Sequence, residues 1–529
     1  MKTNEIKDPG KITVDSYEGN EPFLFVSYSH VDTAAVNRVL VHVDREKYRV
    51  WYDDTMEIGE DFREELRERI EACCAVLLFI SDASMNSKYC GMEIITAYKY
   101  GKRIYPVYLS EEVEIPAPLK MILDNLQHVK SDRIDNEKYL AKLVASLPIE
   151  AMRALDIRDG VLVRCKDGSP TIKIPAGVTE IGPSAFKNCE KLESIDLGTE
   201  VRVISSEAFR GCKRLTEIYL PRNIRQVGES AFRDCISMTK LVVENDEIEI
   251  GERAFENCAT LSDLQLPRAM AEIYGGVFNS CKSLENLVLP EELTVLGENA
   301  LGDCVKIRHI DIPASVSKID DLVFNGCVGL ESIKLNDRIT KIGKNAFKEC
   351  TSLHEIRIPA SVVSIGIGPF RGCSRLSAID VDSKSKNYKS VEHILFNKSK
   401  SHLICFPAML DRTKYDIPDS VTVINDWAFC ACERLTAITI PDSVYEIGEG
   451  AFYKCVSLEE VVLPDSVLRI DDVAFRGCYK LRKLVIPDSV KEFGWGVLNG
   501  CENVTVICSD HSVAANYCDR KNIPHRSKI

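Results

Sequence analysis

Residues 450–470 read GAFYKCVSLEEVVLPDSVLRI, and this stretch is one unit of a pattern that runs through most of the chain. Cysteine recurs every 23 residues at Cys189, Cys212, Cys235, Cys258, Cys281, Cys304, Cys327, Cys350 and Cys373. The period breaks and resumes at Cys432, Cys455, Cys478 and Cys501. In most units a Phe stands three residues before the Cys and a Leu three after, as Phe452 and Leu458 do. Two alternating apolar residues follow, such as Ile218 and Leu220, then often a proline (Pro221, Pro267, Pro313, Pro441). An Ile-Gly pair closes many units, as in Ile342-Gly343 and Ile447-Gly448.

A fixed period of this length marks a solenoid, in which each unit buries its apolar face only against its neighbours. The alternating pair predicts a short strand with two residues facing inward. Proline ends the strand because it has no N–H to donate onward. The small, soft thiol and the Phe ring fill one interior layer in every coil. One Cys per coil offers no paired ligand set, so no metal site is expected.

The period is interrupted at 381–415, VDSKSKNYKSVEHILFNKSKSHLICFP and its flanks. The repeat resembles the BspA-type leucine-rich repeat over roughly residues 155–508, and the interruption resembles a hairpin insertion common in that family. LDIRDGVLVRCKDGSPTIKIP near 155–175 looks like the same hairpin used as an N-terminal cap. The chain is therefore divided into a flexible N-terminus (1–21), an α/β domain (22–148), a linker and cap hairpin (149–175), repeats (176–380), the insertion (381–415), further repeats (416–508) and a C-terminal cap or tail (509–529). Residues five and seven after each Cys, among them Glu217, Tyr219, Lys240 and Asp263, are expected on the outer strand face. They form no aromatic stripe and no track of one charge. Such arrays usually bind an extended partner, and the sequence does not name it.

Composition sets further bounds. At 529 residues the chain exceeds what one core usually covers. Its net charge of −13 argues against nucleic acid and against an anionic membrane surface as partners. The first 22 residues are polar and mixed in charge, so no secretory signal is expected, and no long apolar run predicts a membrane span. A cytoplasmic location and reduced thiols are the expectation for its 21 cysteines.

Residues 22–147 alternate between strand-like and helix-like runs. Phe23–Tyr28, Tyr48–Tyr52, Ala75–Ile80, Arg103–Leu109 and Leu126–Val129 read as strands. Helices are predicted near 32–46, along Phe62, Leu66 and Ile70, over Tyr89–Tyr100 up to Gly101, and near 136–147. This order implies a parallel sheet covered by helices on both faces, with ligands beyond the carboxyl ends of the strands. Taken alone, Glu93 at the head of a helix is explained by the helix dipole. Trp51 alone reads as a sheet residue, His30 as a polar surface residue, and Asp53 with Asp54 as a turn. No phosphate-binding glycine loop or zinc-protease motif is present.

These residues resemble a bacterial TIR (Toll/interleukin receptor) domain, a flavodoxin-like α/β fold. The resemblance rests on Phe25-Val26-Ser27-Tyr28-Ser29-His30, on Val50-Trp51-Tyr52-Asp53-Asp54 with Ile58-Gly59-Glu60-Asp61-Phe62, and on Ser87-x-Tyr89-Cys90-x-x-Glu93. Where the family commonly has Trp four residues before the glutamate, this chain has Tyr89. The resemblance implies a catalytic Glu93, and NAD as substrate rather than cofactor, contacted by Ser29, His30, Trp51, Asp53, Phe62 and Tyr89. It implies cleavage of the nicotinamide–ribose bond to ADP-ribose or a cyclic variant, self-association through these domains, and a role in defence signalling. The alternatives are a non-enzymatic TIR adaptor and a surface or secreted repeat protein.

Overall fold

The computed structural model describes residues 11–53, 60–110, 112–124, 126, 137–148, 151, 155–165 and 169–527, with 60–63 as secondary structure alone. The chain divides into two units, Met1–Ala185 with Ile195–Val201, and Phe186–Ser194 with Arg202–Ile529.

The first unit opens with β1 (Leu24–Ser27), a 3-10 turn (His30–Asp32), α1 (Thr33–Arg45), β2 (Val50–Trp51), α2 (Glu60–Ala72) and β3 (Ala75–Ile80). It continues through α3 (Asp82–Met85), α4 (Lys88–Lys99), β4 (Arg103–Tyr108), α5 (Ala117–Leu123) and α6 (Glu137–Ser146). The four strands are parallel in the order β2-β1-β3-β4. Alternate residues of each strand feed opposite cores. Leu24, Val26, Leu77 and Phe79 pack with Val36, Val39, Leu40 and Val43 of α1 and Leu143 and Val144 of α6. Phe25, Val76, Leu78 and Ile80 pack with Leu66 and Ile70 of α2, Ile94 and Ala97 of α4, and Leu119 and Ile122 of α5. Burial on both faces is why β3 reads as the unbroken apolar run AVLLFI. Gly101, at φ +65°, ends α4 in the left-handed conformation a side chain disfavours. Helices α3 and α5 were not foreseen, and residues 127–129 of the expected fifth strand lie outside the described residues.

Residues 1–21 were expected to form a flexible lead. Their described part is instead tied to the sheet. Ile12 and Val14 are buried in the α1/α6 core. The Tyr52 hydroxyl donates to the Val14 carbonyl at 2.6 Å, and the Tyr17 N–H to the Val50 carbonyl at 2.9 Å. Two alternating apolar residues in a polar stretch are enough to add packed chain beside a short edge strand. In the same unit an antiparallel hairpin pairs β5 (Leu155–Arg158) with β6 (Val161–Cys165).

The second unit is a solenoid of parallel coils. Its strands show the expected alternation, as in Glu217–Leu220, where Ile218 and Leu220 are buried and Glu217 and Tyr219 exposed. Phe186, Phe209, Phe232 and Phe255 stack with centroid spacings of 4.8, 4.9 and 5.2 Å. From Cys212 onward each ladder thiol donates to a backbone carbonyl 26 residues earlier, as Cys212 does to Phe186 and Cys501 to Phe475, both at 3.1 Å. Burial pushes most of these thiols up, to about 12 at Cys281 and well above the usual range at Cys258, whereas a hydrogen bond with Cys478 holds Cys501 below its ordinary value. A second antiparallel pair, Tyr388–Val391 with Ile394–Asn397, interrupts the coils. The helix Val513–Lys521 closes the far end, burying Ala514, Ala515, Tyr517 and Cys518 in the same core.

Candidate active site

Two strand ends and one helix meet at Glu93, and a third strand end lies on the same edge of the sheet. Ser27 is the last residue of β1 and is buried. Its hydroxyl donates to Glu93 Oε2 at 2.6 Å. Asp53 follows β2 by two residues, and its charge bears on Glu93. Tyr28, just past β1, reaches the Asp53 carbonyl with its hydroxyl at 3.4 Å, and its own carbonyl accepts from the Cys90 thiol at 3.3 Å. Ser81, just past β3, donates to Asp32 at 2.5 Å and caps α3 in a reciprocal pair with Ser84. The cluster therefore lies at the carboxyl edge of a parallel sheet, where such folds bind ligands.

Ser87 caps α4, its side chain accepting from the Cys90 N–H. Glu93 stands six residues beyond that cap, and no acidic residue occupies the first turn. The helix dipole acts mainly within the first turn, so it does not explain a carboxylate at this depth. Protein crowds the carboxylate while part of the side chain still meets solvent. Desolvation pushes its pKa up to about 7, with the Asp53 charge adding to the rise and the Ser27 hydrogen bond opposing it. Cys90 beside it is buried and pushed up to about 11, first by desolvation and then by Glu93, which makes it a poor nucleophile.

The other expected contacts divide. Asp53 joins Glu93, while Tyr89 is half-buried one turn before it on α4. Ser29 is half-buried and His30 exposed, with the His30 ring edge-on to Tyr28 at 5.3 Å. Trp51 is only 5% exposed; it stacks on Phe25 at 5.1 Å beneath the Arg69 guanidinium, so it packs the sheet rather than offering a free face. The side chain of Phe62, and residues Ile58 and Gly59, lie outside the described residues. Ser27 was missed as a site residue. Its signal was a hydroxyl ending an otherwise apolar strand, LFVS. Among the described residues no cluster of acidic, His and Cys side chains is arranged to hold a metal, and no helix is long and apolar enough to cross a membrane.

The model of the BspA-type leucine-rich repeat region matches in overlapping segments from 157 to 516, more than half of the chain. The chain belongs to the BspA-type leucine-rich repeat family. Residues 24–144 match the TIR domain, which puts Ser27, Asp53 and Glu93 inside a TIR domain joined to BspA-type repeats. Among solved structures, the BspA-type chain is similar to a leucine-rich cell surface protein from Faecalibacterium prausnitzii, at 21% identity over 70% of this chain and 94% of that one, TM-score 0.42. It is also similar to a leucine-rich repeat protein from Bacteroides ovatus, at 26% identity over 68% and 84%, TM-score 0.42. A third, from Eubacterium ventriosum, shows 24% identity over 56% and 67%, TM-score 0.37. No curated protein matches the chain.

Proposed function

We propose that this protein is a receptor-type NAD glycohydrolase, with Glu93 of the TIR domain as its catalytic carboxylate. The observation that carries the reading is Glu93 itself: mid-helix, oriented by Ser27, pushed up to about 7, and set at the carboxyl edge of the sheet. Perturbed carboxylates in such positions are where chemistry concentrates. Breaking the nicotinamide–ribose bond builds positive charge on the ribose, and a fixed carboxylate stabilises that charge. Nicotinamide leaves as a neutral group, so one carboxylate suffices. The positive charge of the bound nicotinamide ring favours the ionised form of Glu93 and so lowers its pKa in the complex. In this reading His30, which is exposed, and Tyr89, half-buried one turn before Glu93, would meet the substrate.

The BspA-type repeats would sense a ligand or partner, and self-association of the TIR domains would switch the site on. Met92, Ile95 and Tyr98 of α4 and Met121 of α5 are apolar and exposed, as an assembly surface requires. A cytoplasmic, defence-type signalling role fits this arrangement. The test is nicotinamide release from NAD by the purified, artificially clustered full chain. Release by the wild type that vanishes in Glu93→Ala supports the assignment; equal release from both, or none from the clustered wild type, sinks it. Retained TIR–TIR binding without turnover would leave an adaptor.

A further inference from the structure

Two concavities open on the solenoid edge that carries the residues flanking each ladder cysteine. One is lined by Lys187, Asn188, Arg210, Lys213, Asp234 and Asn257. The other has a volume of about 350 Å³ and is lined by Tyr453, Lys454, Arg476 and Tyr479, with Asn499 and Gly477. Both use the same positions of the repeat, two before, one before and one after Cys. Their chemistry differs. In the first, the cations are neutralised: Lys187 and Arg210 pair with Glu207, and Lys213 with Glu190. In the second, Lys454 and Arg476 are exposed and form no ion pair among the described residues.

The second also departs from the repeat. Across the thirteen coils, the position two before Cys is aromatic only at Tyr453, and the position one after Cys only at Tyr479. The two departures fall on adjacent coils and line one hollow. Tyr453 is held from behind by Trp427, edge-on at 5.5 Å, and Trp427 packs with Cys430 and Val473 in a small cluster outside the main core. Its ring is thus preorganised. The coils are fixed to each other by Lys454 N–H to the Arg476 carbonyl at 2.8 Å and Gly477 N–H to the Asn499 carbonyl at 2.9 Å. Gly500 leaves space where a Cβ would lie 3.6 Å from the Tyr479 ring.

We infer that this hollow binds a small phosphorylated ring compound, a nucleotide or a sugar phosphate. Arg476 and Lys454 take the phosphate, Arg476 by charge-assisted hydrogen bonds. Tyr453 and Tyr479 flank the ring with flat amphipathic faces. The volume falls within the usual range for small-ligand sites, about 300–1,000 Å³. The site is independent of Glu93 and of the activity proposed for it.

Calorimetry on the full chain with AMP, glucose 6-phosphate, adenosine and inorganic phosphate tests this. At least one phosphorylated ring compound should bind tighter than both adenosine and inorganic phosphate, and which one binds identifies the class. Arg476→Gln and Tyr479→Ala should each weaken that binding by about tenfold or more. Both side chains are exposed, so unchanged circular dichroism and melting should show intact folding. Binding should persist in Glu93→Gln, which separates this site from the TIR domain. Absence of binding by both phosphorylated compounds, unaltered binding in the two groove variants, or loss of binding in Glu93→Gln overturns the proposal.

Discussion

The hydroxyl of Ser27 donates to Glu93 Oε2 at 2.6 Å, joining the end of β1 to the second turn of α4. It is the favourable contact that opposes desolvation of this carboxylate. The reactive group of the proposed enzyme is therefore positioned by a residue 66 positions earlier in the chain.

Activity should follow the ionised form of Glu93. With its pKa at about 7, kcat/KM for NAD should rise with pH through about 7 and level off above it. In Ser27→Ala the hydrogen bond to the charged form is gone, so the midpoint should move to higher pH. A profile that does not move would show that Ser27 does not set the ionisation that matters.

Stability should run the other way. The folded carboxyl keeps its proton up to about 7, while the unfolded chain releases it near 4.5. Between these values the native state binds more protons, so stability falls as pH rises through that window and the penalty is absent below it. Glu93→Gln should therefore stabilise the first unit at pH 8 by roughly 1–3 kcal/mol and have little effect at pH 4. Denaturant titrations at the two pH values measure this; equal effects at both would contradict it.

The ladder thiols should be silent in the folded protein. Only Cys74, Cys165 and Cys189 are not fully buried, out of 21. Ellman's reagent at pH 7.5 should label at most these three quickly, and all 21 after denaturation. Fast labelling of more would mean that the coils open.

Phe232→Ala removes a ring held between Phe209 at 4.9 Å and Phe255 at 5.2 Å. The expected loss is about 3–5 kcal/mol of solenoid stability in urea. A loss below 1 kcal/mol, against the ~3 expected of a well-packed site, would mean that the stack collapses to fill the void.

Starting the chain at residue 21 removes Ile12 and Val14, which are 5% and 6% exposed. Full burial of such side chains contributes about 1.5–3 kcal/mol each. The truncated protein should melt at a lower temperature in the transition of the first unit, and an unchanged transition would show that this segment is dispensable.

The solenoid was legible because its information is periodic: one Cys, one Phe and one strand pair repeat in register, and each repetition restates the same packing. The doubly covered sheet was legible in AVLLFI, whose unbroken apolarity fits only a strand buried on two faces. Long-range pairings were less so. Nothing local to Ser27 says that it will meet Glu93. The resemblance implies that Trp51 contacts the substrate, yet its neighbours enclose it between Phe25 and Arg69. Tyr453 and Tyr479 lie off the strand face, two before and one after a ladder cysteine, and their departure from the repeat shows only when the coils are aligned on their cysteines.

The thiol-to-carbonyl link between consecutive coils has a consequence for how such a gene can change. A donor in one coil must meet an acceptor 26 residues back, at the same height, in coil after coil. Loss or gain of a single codon inside a coil would misalign the link that spans it, while later coils keep their own spacing, as Cys432 still donates to the Phe406 carbonyl beyond the insertion. Loss or gain of 23 codons would leave the register untouched. The solenoid can thus lengthen or shorten by whole turns, changing what it reaches without redesigning what holds it together.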